Sequence, residues 1–143
     1  MNADLLDEQS MIDAIAGSTY VVHLASPFFL GGDANEETLV KPAVNGTLGA
    51  MRACKAAGVR RCVVTSSIAS VMFCAKDARP ADRTFDESMW SDCDRPEGLH
   101  PYCVSKTKAE RAAWDFVEAL PEGEKFELVT INPSFVMGPP LYK

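Results

Sequence analysis

No uninterrupted apolar stretch in this sequence approaches the ~20 residues that a membrane-spanning helix needs. Basic clusters are missing too. The longest run of Lys or Arg is Arg60-Arg61, and the formal net charge is −6. Nucleic-acid binding requires a basic face, so that class is excluded as a partner. The five cysteines (Cys54, Cys62, Cys74, Cys93, Cys103) are odd in number and contain no Cys-x-x-Cys pair. Neither a disulfide framework nor a zinc site is expected, and reduced thiols, several of them filling core, are. Met1 to Ser10 is acidic where a secretory leader is basic and then apolar, so the cytosol is the expected location.

What is present fits one soluble domain. Hydrophobic residues make up 47% of the 143 and charged residues 24%, enough to bury a core. The chain alternates helix and strand signals. Met11, Ile12 and Ile15 lie at helical spacing within 7–16, with Gly17 as the stop. Residues 19–25 (Thr-Tyr-Val-Val-His-Leu-Ala) are apolar and β-branched throughout, which predicts a strand covered on both faces. Gly31-Gly32 marks a loop. A long helix is predicted over 35–57, with Pro42 in a first turn or at a kink, Gly46 awkward inside it, and Gly58 after its end. Residues 61–65 form a second buried strand, and residues 75–101, with Pro80, Pro96 and Gly98, a long loop of the kind that is usually functional or disordered. A third helix over 102–120 and a third strand over 126–131 complete the pattern. Strand-helix-strand-helix-strand implies a parallel sheet with right-handed crossovers. In such a sheet ligands sit beyond the carboxyl ends of the strands, here Ala25-Ser26-Pro27, Ser66-Ser67 and Asn132-Pro133-Ser134.

The residues with chemistry lie at those ends and on the third helix. Tyr102 and Lys106 are four apart, on one helical face. A phenol is a poor acid-base group at neutral pH unless a cation stabilises its phenolate. At ~4 Å that attraction is about 1 kcal/mol in water and about 4 kcal/mol at an effective dielectric of 20, so the chemistry needs a covered pocket. An isolated Tyr-x-x-x-Lys is more often a solvated surface helix. Ser67, 35 residues earlier at a strand end, adds a hydroxyl able to share negative charge on a carbonyl oxygen. Ser66 and Ser70 are alternatives for that role, and local capping is the ordinary use of such a serine. His23, mid-strand, reads as a buried, hydrogen-bonded histidine; His100 reads as an exposed loop residue within reach of a substrate.

Five blocks in order carry a resemblance: Val-Val-His-Leu-Ala-Ser-Pro (21–27), Leu-Val-Lys-Pro-Ala-Val-Asn-Gly-Thr (39–47), Val-Val-Thr-Ser-Ser (63–67), Tyr-Cys-Val-Ser-Lys-Thr-Lys-Ala-Glu (102–110) and Ile-Asn-Pro-Ser-Phe-Val-Met-Gly-Pro (131–139). Together they resemble the extended short-chain dehydrogenase/reductase family, in its dihydroflavonol 4-reductase and cinnamoyl-CoA reductase branch. The resemblance implies an α/β fold: strands 4-5-6 of a doubly wound Rossmann sheet of order 3-2-1-4-5-6, within a single incomplete NAD(P)-binding domain spanning 1–143. It implies that Ser67 polarises a substrate carbonyl, that Tyr102 delivers a proton as hydride arrives from the nicotinamide, and that Lys106 lowers the pKa of Tyr102 and binds the nicotinamide ribose. Ala25, Ser26 and Ser66 would lie against the cofactor, with Pro133, Ser134 and Val136 lining the nicotinamide pocket. The cofactor would be NADP(H) ahead of NAD(H), and the substrate a small carbonyl compound, either a ketone or aldehyde reduced to an alcohol or an acyl-thioester reduced to an aldehyde. No metal or membrane partner is implied. Asp86 to Trp90 matches a segment expected to be structural.

The family's Gly-x-x-Gly-x-x-Gly turn between first strand and helix has no counterpart, because Gly46 and Gly49 fall inside a predicted helix. The C-terminal substrate-binding portion also lacks a counterpart. The expectation is therefore an internal fragment, with a long apolar sheet edge prone to self-association, marginal stability and doubtful activity on its own. A non-catalytic binding module is the alternative from another class. On the same scaffold, a hydroxysteroid dehydrogenase or a sugar-nucleotide epimerase is the alternative enzyme. A dehydratase is disfavoured because Ser66-Ser67 stands where acidic residues are expected. Val-Ser-Lys-Thr looks closer to the flavonoid-reductase side than to the cinnamoyl side.

Overall fold

A computed structural model describes residues 2–28, 31, 33–82, 84–95 and 97–139; the landmarks Met1, Gly32, Pro96 and Lys143 lie outside them. The first helix, α1 (Glu8–Ile15), starts where the Asp7 carboxylate accepts the N–H groups of Gln9 and Ser10. It is followed by β1 (Tyr20–His23), two residues shorter at its C-terminal end than the apolar run suggests. The predicted long helix is divided. Residues Glu36–Val40 form a widened, π-type turn capped by Asn35, and α2 (Lys41–Ala57) follows with Pro42 in its first turn. Pro42, which has no N–H to donate, follows directly on that widened turn. Gly46 is buried in mid-helix because Leu5 packs onto it; a Cβ would stand 3.2 Å from the Leu5 Cβ. Gly58, at φ 62°, closes α2 in the left-handed conformation and donates its N–H to the Lys55 and Cys54 carbonyls.

The remaining elements are β2 (Arg61–Thr65), a 3-10 turn at Ile68–Ser70, α3 (Pro101–Glu118) and β3 (Glu127–Ile131). The three strands form one parallel sheet in the order β1-β2-β3, with Val22 opposite Val63 and Val63 opposite Val129. Met11 and Ile15 of α1, Met51 and Cys54 of α2, Ala113 and Val117 of α3, and Cys62 and Val64 of β2 make the core. Each fully buried large apolar side chain contributes roughly 1.5–3 kcal/mol.

The sequence reading of β1 as covered on both faces is corrected here. All three helices pack on the face bearing His23, Cys62 and Val64. The opposite face leaves Tyr20 58%, Val22 60% and Ile131 52% exposed. The reason is topological. Two right-handed crossovers stepping in the same direction put α2 and α3 on one side of the sheet, and the described residues supply nothing to the other.

The long loop is not loose where it meets the sheet. The Ser91 hydroxyl donates to the Ala69 carbonyl at 2.7 Å, and the Ser91 N–H donates to the Ser70 carbonyl at 2.7 Å. Trp90 stacks under the Arg111 guanidinium at 5.1 Å, in keeping with the structural role expected of 86–90.

Candidate active site

The carboxyl ends of β1, β2 and β3 meet the N-terminal half of α3. That helix begins at Pro101, with His100 as its cap: the His100 Nδ1 accepts the Tyr102 N–H at 3.1 Å. His100 thus caps the helix that carries Tyr102. The inward stripe of α3 runs Cys103, Lys106, Glu110, Ala113, Val117, so two ionisable residues occupy positions that helical periodicity reserves for core.

Lys106 is 8% exposed. Among the described residues no carboxylate pairs with it, and burial holds its ammonium below the ordinary lysine range. Its Nζ lies 5.9 Å from the centre of the Tyr102 ring. One cleft is lined by Ala25, Ser26, Ser66 and Lys106, together with His23 and Glu110, so four of the sequence-predicted residues come together there. His23 is buried as expected, but its ring makes no hydrogen bond among the described residues, which corrects half of that reading. Burial, and then the charge of Lys106, push His23 below the usual 6.5.

Tyr102 is half-buried, with the edge of Phe28 against its ring at 5.3 Å and 86°. Sequence reading passed over Phe28, although an aromatic directly after the proline that ends a strand end was the available signal.

Three serines were candidates for polarising a carbonyl, and their hydrogen bonds separate them. Ser66 Oγ donates to Glu110 Oε2, and Ser70 Oγ lies 2.7 Å from the same oxygen. Ser70 Oγ also lies 2.8 Å from the Ser67 carbonyl, and neither a carboxylate nor a carbonyl donates, so both hydroxyl protons are directed to acceptors inside the cluster. Ser67 Oγ instead accepts the Ala69 N–H at 3.2 Å and donates to nothing among the described residues. Its proton is the one left free. Ser67 precedes the 3-10 turn against which α3 packs.

The third strand contributes Asn132, whose Nδ2 lies 2.9 Å from Glu110 Oε2 and 3.1 Å from the Ser67 carbonyl. Pro133 accepts the Ile68 N–H at 3.1 Å, which ties β3 to the turn. Ser134 is exposed and Val136 is 90% exposed, so these two are not packed against the cleft. Glu110 and Asn132 were given no role from sequence. The signal for Glu110 was a charge in an apolar stripe, eight residues after Tyr102.

The profile of the 3-beta hydroxysteroid dehydrogenase/isomerase family matches residues 1–141. Cinnamoyl-CoA reductase of Medicago truncatula is 39% identical over 140 residues, covering 96% of this chain and 41% of that protein. Dihydroflavonol 4-reductase of Arabidopsis thaliana is 40% identical over 142 residues, covering 96% and 35%. The crystal structure of yeast methylglyoxal/isovaleraldehyde reductase complexed with NADPH superposes with a TM-score of 0.80 at 34% identity, covering 97% of this chain and 44% of that one. The chain thus spans about two fifths of the length of the curated relatives it matches. By sequence over nearly its whole length, and by the Rossmann-type parallel α/β fold it shares with the yeast reductase, this chain belongs to the 3-beta hydroxysteroid dehydrogenase/isomerase family.

Proposed function

We propose that this chain carries the carbonyl-polarising and proton-donating part of an NADPH-dependent carbonyl reductase, acting in the cytosol on a small carbonyl compound. The observation that carries the proposal is the free hydroxyl of Ser67 beside a helix that presents Tyr102 and a buried, unpaired Lys106.

Lys106 would meet the nicotinamide-ribose end of such a cofactor. A buried ammonium without a carboxylate partner takes neutral oxygen acceptors such as ribose hydroxyls, and Lys106 would hold them. Ala25 and Ser26, at the end of β1, present small side chains to the same cleft, with Ser66 beside them. Pro133, tied to the turn after Ser67, would lie nearest the nicotinamide, with Ser134 and Val136 reaching it only by moving from their exposed positions. No glycine turn before a helix N-terminus, the usual pyrophosphate cradle, is present among the described residues. When bound, NADPH supplies the hydride that the carbonyl carbon receives. The Ser67 hydroxyl donates a hydrogen bond to the carbonyl oxygen, Tyr102 transfers its phenolic proton to that oxygen, and the Lys106 charge favours the phenolate left behind. A ketone or aldehyde becomes an alcohol, with one hydride and one proton gained. NADPH is favoured over NADH because it is the cofactor bound in the yeast relative. Cinnamoyl-CoA and dihydroflavonol reductases match about equally, so the substrate is proposed at the level of a carbonyl and not of a particular skeleton.

A thermal-shift and nicotinamide-fluorescence titration of the chain with NADPH and NADH tests this reading. Saturable micromolar binding of NADPH, abolished by Lys106→Met and retained by Tyr102→Phe, is the expected result. A folded chain that binds neither nucleotide would overturn it. The uncovered sheet face favours a second reading, a non-catalytic module that associates with itself or a partner through Tyr20, Val22 and Ile131. Among the described residues no helix is long and apolar enough to cross a membrane.

A further inference from the structure

We propose that Glu110 is a positioning residue that decides which serine polarises the substrate, by committing the hydroxyl proton of Ser66 and, through Ser70 and Asn132, fixing the turn that presents Ser67. The inference rests on the reading of Ser67 as the carbonyl donor and adds to it a residue with no contact to substrate.

Glu110 is 5% exposed, and its Oε2 is the convergence point of three donors from two strand ends: Ser66 Oγ, Ser70 Oγ at 2.7 Å and Asn132 Nδ2 at 2.9 Å. Oε2 is the acceptor in all three of these bonds. Ser70 Oγ has one proton for two acceptors, Glu110 Oε2 and the Ser67 carbonyl at 2.8 Å, and offers its lone pairs to Asn132 Nδ2 at 2.8 Å. Asn132 Nδ2, whose two protons are shared among three acceptors, also lies 3.1 Å from the Ser67 carbonyl, an oxygen that receives the Ser70 N–H at 3.0 Å. The result is a chain of donors running from β3 through Asn132 to the main chain at Ser67, anchored on α3, the helix that holds Tyr102 and Lys106. Charge-assisted hydrogen bonds of this kind are roughly twice as strong as neutral ones.

Without the carboxylate, Ser66 is free to turn its proton elsewhere while Ser70 keeps the Ser67 carbonyl as an acceptor, and two hydroxyls compete where one now stands alone. The turn also loses its anchor to α3. The sequence left Ser66, Ser67 and Ser70 as equal candidates because nothing in the string Ser-Ser-Ile-Ala-Ser says which hydroxyl is already committed. Glu110, 40 residues away from Ser70 in the chain, says so.

Two readouts test this in Glu110→Gln, which keeps the shape and halves the acceptor capacity, and in Glu110→Leu, which removes it. The first is amide hydrogen exchange in the free chain. Ala69 and Ser70 should exchange at least about tenfold faster in both variants, while Cys62 and Val64 in the core change less than about twofold. Uniform acceleration of turn and core together, or no acceleration of the turn, overturns the proposal. Glu110→Gln decides this arm if Glu110→Leu does not fold. The second is a kinetic cycle for NADPH-dependent carbonyl reduction with Ser67→Ala. In the parent, Ser67→Ala should lower kcat with little change in KM for NADPH. In Glu110→Gln, the same change should cost severalfold less, because the freed Ser66 hydroxyl substitutes in part. Strict additivity overturns the proposal. If Ser67→Ala has no effect in the parent, the assignment of Ser67 fails, and the exchange result still decides whether Glu110 holds the turn.

Discussion

Lys106 Nζ stands 5.9 Å from the centre of the Tyr102 ring, one helical turn along the buried stripe of α3, and no carboxylate among the described residues neutralises it. A charge kept in such a place costs stability, and that cost points to use. Lys106→Met should therefore raise the melting temperature at pH 7 by a few degrees, equivalent to about 1 kcal/mol, while removing nicotinamide binding. The sign follows from titration. Burial lowers the folded-state pKa of Lys106, so the parent gains stability as pH rises through the interval below 10.5, and the variant should not. Urea midpoints at pH 7 and pH 10 for both proteins measure this; a variant less stable than the parent at pH 7 would contradict it.

His23 gives the corresponding effect on the acid side. Its folded-state pKa is held below 6.5, first by burial and then by Lys106, so the unfolded chain takes up a proton before the folded one does. Stability should fall as pH drops from about 7.5 through the range just below 6.5, above the range in which carboxylates titrate. His23→Gln should flatten that part of the curve. Equal slopes for the two proteins between pH 7.5 and 5.5 would show that His23 is not the group responsible.

Phe28 is 65% exposed, yet its edge rests on the Tyr102 ring. Such a pair contributes about 0.5–1.5 kcal/mol, and less when exposed. Phe28→Ala should leave the melting temperature within a few degrees of the parent and lower kcat/KM for carbonyl reduction severalfold, by loosening the phenol. A large fall in melting temperature with unaltered kinetics would make Phe28 a packing residue only.

The open sheet face predicts behaviour in solution. Parallel sheets are normally covered on both faces, and here Val22 and Ile131 are not. The chain should melt below about 50 °C as a monomer and associate as concentration rises. Val22→Lys with Ile131→Lys should suppress association in sedimentation velocity at matched concentration. Association unaffected by the two charges would locate the contact elsewhere.

How far the sequence carried the structure depends on the range of the forces involved. Asp7, Pro42, Gly17 and Gly58 act on their own helices, so helix ends were legible to within a residue or two. The exception was Glu36–Val40, where a widened turn ahead of Pro42 leaves the apolar pattern unchanged. Strand β2 was legible because its flanks are turn-forming and its length is set locally. The exposure of β1 was not, since Thr19 to Ala25 has the composition of a two-sided strand, and which side receives a helix depends on crossover direction.

The same division holds at the site. Ser67, Tyr102 and Lys106 were candidates from spacing and strand ends alone, because helical periodicity and the position of a strand terminus are properties of the chain. The commitment of Ser66 and Ser70 to Glu110, the donor chain through Asn132 and the contact of Phe28 with Tyr102 were decided only by tertiary structure. These contacts join residues 22 to 74 positions apart, and a hydrogen bond of about 3 Å is set by how strands and helix pack, a distance that residue spacing cannot encode.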